Sequence, residues 1–319
     1  LCRGADKRFR SRAFLHGEAC KRLKQRRAMC YKILKPADLK IIPKRKAEAN
    51  KGDFKKLLVI AGSYGMSGAA YLSAFAAYRT GSGLVRLFSA EDNRSIFQTM
   101  LPEAVVSSYR EADFRDNYKE LVNKLDAALA WAQIIVLGPG LGSREYVYTL
   151  VKQVLVNKQT PVIIDADALN CIAANPDLKK YLHSNAVITP HLKEMSRLSG
   201  ESLSDIKAEP IKTACAYSAK YKTNVVLKQH NTITAACDGR LYKNLSGSPA
   251  LAKAGSGDVL TGVIAGLFCI GFEIVQAAAF GVYLHGLAGE EAQKKYGEHG
   301  VLARDVIECI PYVMQHNQY

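Results

Sequence analysis

The 319-residue sequence contains no run approaching the roughly 20 apolar residues that a helix needs to cross a bilayer. Its N-terminus has no apolar segment of the secretory kind, so no signal peptide is expected. No C-x-x-C pair occurs, and no Cys/His cluster has zinc spacing. The eight cysteines are scattered, which points to reduced thiols, a cytoplasmic setting, no disulfide framework and no structural metal. There is no G-x-x-x-x-G-K-[ST] loop and no G-x-G-x-x-G turn after a strand. Internal repeats and low-complexity tracts are also missing. What remains, at 48% hydrophobic and 23% charged residues, is a globular composition long enough for one large α/β domain.

Positive charge is in excess, and its position decides its meaning. The formal net charge is +15. Residues 1–56 carry 19 Lys/Arg against 5 Asp/Glu, whereas residues 57–319 carry 25 against 24. The charge therefore belongs to the N-terminal segment, and the body is nearly neutral. Residues 1–45 read as a basic arm, flexible in part, with Tyr31–Ile42 as a short ordered lead-in. Residues 46–319 read as one domain. The arm lacks interleaved aromatics and any recognisable binding module, so neither nucleic acid nor a membrane is an expected partner. The competing reading is a non-catalytic protein that senses a nucleotide and attaches to nucleic acid through the arm.

From Leu57 onward, short apolar runs alternate with helical periodicity. Leu57–Ala61, Leu84–Phe88, Ile134–Leu137, Val162–Ile164, Ala186–Ile188 and Val225–Leu227 read as buried strands. Helices are expected over Ala69–Thr80, Tyr146–Val156, Leu192–Leu198 and Ile206–Tyr221, and through most of the chain after Thr261. Continuous apolar strands between helices predict an α/β fold: a mainly parallel central sheet with helices on both faces. Ligands of such sheets sit beyond the carboxyl ends of the strands. The polar and glycine-rich clusters all fall there.

Five clusters carry candidate chemistry. Lys253–Gly262 (KAGSGDVLTG) has small residues that let backbone amides approach an anion, then an apolar run that opens a helix. Asp258 in its first turn, expected to be ionised, can take a proton from a hydroxyl, or can simply cap a glycine-rich turn. Lys228–Thr232 (KQHNT) follows a strand and suits a nucleotide phosphate or ribose, or else is an edge hairpin with a solvated lysine. His191 and Glu194 share one helix face and can contact a ligand or hold waters around Mg²⁺, though a histidine at a helix start is commonly a cap. Gly138–Gly142 (GPGLG) and Asp165–Asn170 (DADALN) place flat backbone and two carboxylates at strand ends. Gly62–Ala70 (GSYGMSGAA) can form a close-approach wall for a substrate.

In order, KGDF (51–54), AGSYGMSGAA (61–70), GSGLV (81–85), GPGLG (138–142), PVIIDADALN (161–170), TPHLKE (189–194), VVLKQHNT (225–232) and SGSPALAKAGSGDVLTG (246–262) resemble the NAD(P)H-hydrate dehydratase family. The resemblance runs from about Lys51 to the C-terminus. It implies a ribokinase-like fold over residues 46–319. It also implies repair of (6S)-NAD(P)H hydrate: the ring hydroxyl is phosphorylated from ADP or ATP with Mg²⁺, and phosphate then leaves. ADP is the donor implied by the TPH form of the motif. A small-molecule kinase such as a hydroxyethylthiazole kinase is the alternative.

Position by position, the resemblance implies that Ala70, Gly140, His191 and Asp258 contact the hydrate, with Asp258 as base. Lys228, Gln229, His230, Asn231, Thr232 and Gly257 would bind the adenine nucleotide. The amides around Gly255, Ser256 and Gly257 would hold the transferred phosphoryl group. Glu194 would help hold Mg²⁺ through water. A homo-oligomer is implied as well. The sequence departs from the family at Gln229 and Ala254, each usually glycine, and at TPHLKE, where TPHPGE is commoner. Many bacterial members carry a preceding epimerase domain; only about 50 residues precede Lys51, so no epimerase activity is expected in this chain.

Overall fold

The structure, a computed structural model, describes residues 30–45, 47–48 and 55–317. Most of the expected basic arm, residues 1–29, lies outside the described residues. Nine strands form one sheet: β1 (Lys56–Ile60), β2 (Leu84–Ala90), β3 (Val105–Tyr109), β4 (Ile134–Leu137), β5 (Val162–Ile164), β6 (Ala186–Ile188), β7 (Asn224–Leu227), β8 (Ile233–Ala235) and β9 (Leu241–Lys243). Their order is β3-β2-β1-β4-β5-β6-β7-β8-β9. Pairing is parallel from β3 through β7, and antiparallel for β7–β8 and β8–β9. The mainly parallel α/β architecture is therefore as the strand pattern predicts.

Alternation along each strand feeds two helical layers. Leu57, Val59, Ile134 and Val136 face one core, shared with helices α1 (Ser67–Thr80), α4 (Ser256–Cys269), α5 (Ile274–Gly300) and α6 (Ala303–Asn317). Leu58, Ile60, Ile135 and Leu137 face the other, shared with α2 (Ala166–Ala174), α3 (Leu192–Ser199) and the helices at Tyr118–Trp131 and Tyr146–Val156. No helix among the described residues is long and apolar enough to cross a membrane.

Three strands and one helix break depart from the sequence expectation. β3 (VVSSY) lies at the sheet edge and is half polar, and β8 and β9 have three residues each, too few for a period. The helix expected over Ile206–Tyr221 is two, Leu203–Ala208 and Pro210–Tyr221, because Pro210 has no N–H to continue the ladder and instead opens the second helix. Within the expected arm, Lys32 bridges Tyr242 beside β9, and Leu34, Leu39 and Ile42 are buried in the first core. The packed body thus takes in Tyr31–Ile42.

α4 is seated by its contact with α1. A Cβ on Gly262 would lie 2.2 Å from the Ser73 carbonyl oxygen, so only glycine permits this approach. The Ser73 hydroxyl, itself buried, donates to the Asp258 carbonyl at 3.1 Å and lies 3.2 Å from Thr261 Oγ1. These contacts hold the first turn of α4 over the carboxyl ends of the central strands.

Candidate active site

A cleft of about 840 Å³ opens at those strand ends. Its floor is the start of α4. Gly255 is the N-cap, in a left-handed conformation (φ 89°), and Ser256, Gly257 and Asp258 form the first turn. First-turn amides of a helix lack intrahelical acceptors and sit at the positive end of its dipole, which suits a phosphate. All four of these residues line the cleft.

The sequence reading expects the Asp258 carboxyl to be held ionised; the structure shifts its titration toward neutrality instead. Burial raises its pKa to about 7, and the charges of Asp165 and Asp167 add to the rise while Lys228 opposes it. The dipole of α4 is outweighed because water cannot reach the carboxylate freely. A carboxyl that titrates near neutrality is a better general base than an ordinary aspartate.

Asp165 follows β5 at the N-cap position of α2, where its side chain makes no capping bond, and Lys228 follows β7. Lys228 Nζ lies 2.6 Å from Asp165 Oδ1, and Asp165 is 2% exposed. The lysine is therefore not the solvated side chain of an edge hairpin. The hairpin itself exists: residues 228–232 turn β7 back into β8. The Lys228 amide donates to the Pro190 carbonyl at 2.8 Å, and Lys228 bridges His191, which extends the sheet by one pairing into the cleft. A Cβ on Gly257 would meet Lys228 Nζ at 3.3 Å, so the cation sits directly beside the phosphate loop.

His191 and Glu194 form a capping box at the start of α3. His191 Nδ1 accepts from the amides of Lys193 (3.1 Å) and Glu194 (3.2 Å), and Glu194 Oε2 accepts from the His191 amide (2.8 Å). The cap reading is thus realised, yet both residues also line the cleft. With Nδ1 accepting, a neutral His191 carries its proton on Nε2. Burial, then Lys228, lowers the His191 pKa. Burial raises Glu194 to about 7.

Lys228, Gln229, His230 and Thr232 line the cleft; Asn231 does not, and its carbonyl accepts from Gln229 Nε2 at 3.1 Å. That bond also folds Gln229, the residue that replaces a glycine, back onto its own turn. Ala70 and Gly140 are not brought to the cleft either. Ala70 is wholly buried in the core, and Gly140 packs against Met66 and Ala69 while its carbonyl accepts from the Ser63 amide at 2.6 Å.

Asp165 and Lys228 both stand in motifs the sequence marks, DADALN and KQHNT, but nothing in the sequence pairs them. Another cleft residue carries no sequence signal at all. His285, on α5, is 7% exposed, lines the cleft and approaches Ser256 Oγ at 3.4 Å. Burial and Lys228 depress its pKa to about 4, so it is neutral. It lies within an apolar helix, where no local signal marks it.

A model of the NAD(P)H-hydrate dehydratase family matches residues 57–312. The bifunctional NAD(P)H-hydrate repair enzyme of Moorella thermoacetica is 36% identical over 86% of the chain and 52% of its own length. The chain thus spans about half the length of the bifunctional relatives it matches. Shorter relatives named ADP-dependent (S)-NAD(P)H-hydrate dehydratase are 32% to 35% identical and covered over 86% to 93% of their length. Among solved structures, a ribokinase-like superfamily protein from Enterococcus faecalis superposes with a TM-score of 0.79 at 27% identity, over 91% of this chain and 97% of that one. The ADP/ATP-dependent NAD(P)H-hydrate dehydratase of Bacillus subtilis, co-crystallised with ATP/Mg²⁺, gives a TM-score of 0.76 at 29% identity, over 91% and 100%.

Proposed function

The chain belongs to the NAD(P)H-hydrate dehydratase family, and from that premise we propose that it returns (6S)-NAD(P)H hydrate to NAD(P)H at the expense of a nucleotide, with ADP as donor. The observation that carries the reading is Asp258, a carboxyl titrating near 7 in the first turn of α4, beside the Lys228–Asp165 pair and within one cleft. A phosphate loop and a base at neutral pH are what transfer to a hydroxyl demands.

In this reading Asp258 takes the proton of the ring hydroxyl as the terminal phosphoryl group moves onto that oxygen. ADP leaves as AMP. The amides of Gly255, Ser256 and Gly257 and the Lys228 cation hold the charge of the phosphoryl group in transit. The ring carbon–oxygen bond then breaks, inorganic phosphate departs, and a proton lost from the neighbouring carbon restores the double bond. His191 Nε2 offers a donor to the hydrate, and Lys228, Gln229, His230 and Thr232 border the nucleotide.

Mg²⁺ carried by a nucleotide takes most of its ligands from phosphate and water and needs only one or two carboxylates. Among the described residues no group of three or more His, Cys, Asp or Glu could cage a metal. Glu194 and Asp165 line the cleft singly. That donor set fits a nucleotide-borne ion, which Glu194 would help to hold through water. When bound, the ion neutralises charge on the phosphates.

The test is recovery of NADH absorbance from NADH hydrate with Mg²⁺ and either ADP or ATP. No recovery with either nucleotide rejects the proposal. A stable phosphorylated product with no released phosphate makes the chain a small-molecule kinase. Homo-oligomerisation and a cytoplasmic setting belong to the same reading, and light scattering checks the first.

A further inference from the structure

A second cavity, of about 960 Å³, lies on the far side of the α2 N-terminus. The two linings have no residue in common; the ridge of α2 and α3 between them forms their lip. Ala166 lines the first and Asp167 the second; His191 and Glu194 line the first, and Arg197, one turn further along α3, lines the second. Arg197 is close enough to the first cleft for its charge to act on both His191 and Glu194. Its guanidinium is held by a neutral partner, Nη1 donating to Asn170 Oδ1 at 2.9 Å. Asn170 in turn lies beside Asp167, whose other oxygen accepts from the Gly142 amide at 2.8 Å. Among the described residues no carboxylate lies within 4.0 Å of Arg197 as an ion-pair partner. An arginine oriented by an amide, between two cavities, and in no direct ion pair can take an anion.

A cavity of about 300–1,000 Å³ holds one drug-sized ligand, and the reaction proposed above needs two, one of them a dinucleotide. We propose that the second cavity receives the adenosine half of the dinucleotide hydrate, and that Arg197 binds the diphosphate joining its halves. The inference rests on the hydrate-repair reading. The lip position selects the diphosphate over a ribose 2′-phosphate, because only the bridging group lies between the halves. Arg197 is therefore a specificity residue for dinucleotides over mononucleotides, and is indifferent to NADH against NADPH.

Binding of the products NADH and NADPH, followed by their fluorescence, tests this without turnover. Arg197→Gln should weaken both equally, by about ten- to hundredfold, and leave ADP binding unchanged. Arg197→Lys, which keeps the charge and loses the fork, should fall between. In turnover the KM for the hydrate rises and the KM for ADP does not. Unchanged product affinity in Arg197→Gln overturns the proposal, and so does loss confined to NADPH, which would move the arginine to the 2′-phosphate. Equal loss of ADP binding also overturns it, as a general disturbance of the fold. NADH binding that depends on Arg197 in a chain without dehydratase activity would sink the repair reading and leave this site standing.

Discussion

Lys228 and Asp165 are 63 residues apart in sequence and 2.6 Å apart in space, and their pair underlies the phosphate loop. Asp165 is buried, so its charge depends on Lys228 for compensation. Removing one partner of such a pair costs more than removing both. Lys228→Met should lower stability by about 3–5 kcal/mol, measured by urea unfolding, and abolish nucleotide-dependent turnover. The double variant Asp165→Asn, Lys228→Met should regain most of the stability and none of the activity. A single variant as stable as the parent would mean that Asp165 is solvated.

Asp258→Asn should lower kcat by about 10²–10⁴ while ADP affinity, from calorimetry, stays within a few-fold. Retained turnover would take Asp258 out of the reaction.

The pH profile follows from the same group. A base must be ionised to act, and Asp258 titrates at about 7. The kcat/KM should fall about tenfold per pH unit below 7 and level off above it. In Asp258→Asn the residual rate should lack this limb. A limb centred near pH 4 would show that the carboxyl is not desolvated.

Stability carries the opposite sign. The folded-state pKa of Asp258 is raised above its unfolded value of 3.8, so the folded protein binds this proton more tightly. The stabilisation is complete below pH 3.8 and is lost as pH rises through 7. Asp258→Asn should therefore be more stable than the parent at pH 8, by about 1–3 kcal/mol, with the difference shrinking toward pH 5. Thermal melts at the two pH values measure this. A constant difference would contradict it.

Gly262→Ala would bring a methyl group to 2.2 Å from the Ser73 carbonyl. The helices α1 and α4 must separate, at about 1–3 kcal/mol, and Asp258 moves with its helix. Both Tm and kcat should drop. A drop in Tm alone would show that the α1 contact does not position the base. Leu39, in the segment before the sheet, is wholly buried; Leu39→Ala should cost about 2–5 kcal/mol and leave the KM for ADP unchanged.

Much of the fold was legible because its central strands are continuous apolar runs, such as IIVL at 134–137, each followed by a glycine-rich or polar turn. What was illegible had weak local signals. The edge strand Val105–Tyr109 is half polar, and the hairpin strands at 233–235 and 241–243 are too short for periodicity to speak. The site was legible as far as its loops: Lys228, His191, Glu194, Gly257 and Asp258 converge on one cleft. Ala70, Gly140 and Asn231 do not, since whether a backbone segment faces a ligand or its neighbour depends on packing. His285 arrives from a helix nearly thirty residues downstream of the phosphate loop and carries no motif.

The sequence by itself determined which segments are strands, which loops lie at their carboxyl ends, and where the Asp258 loop opens a helix. Each follows from local periodicity and from the residues an anion-binding turn needs. Tertiary structure alone decided the partner of Lys228, the closeness of α1 to α4, the second cavity beside Arg197 and the proton affinity of Asp258. These depend on distance and solvent access between segments far apart in the chain, and electrostatic energies in a buried site follow those two quantities.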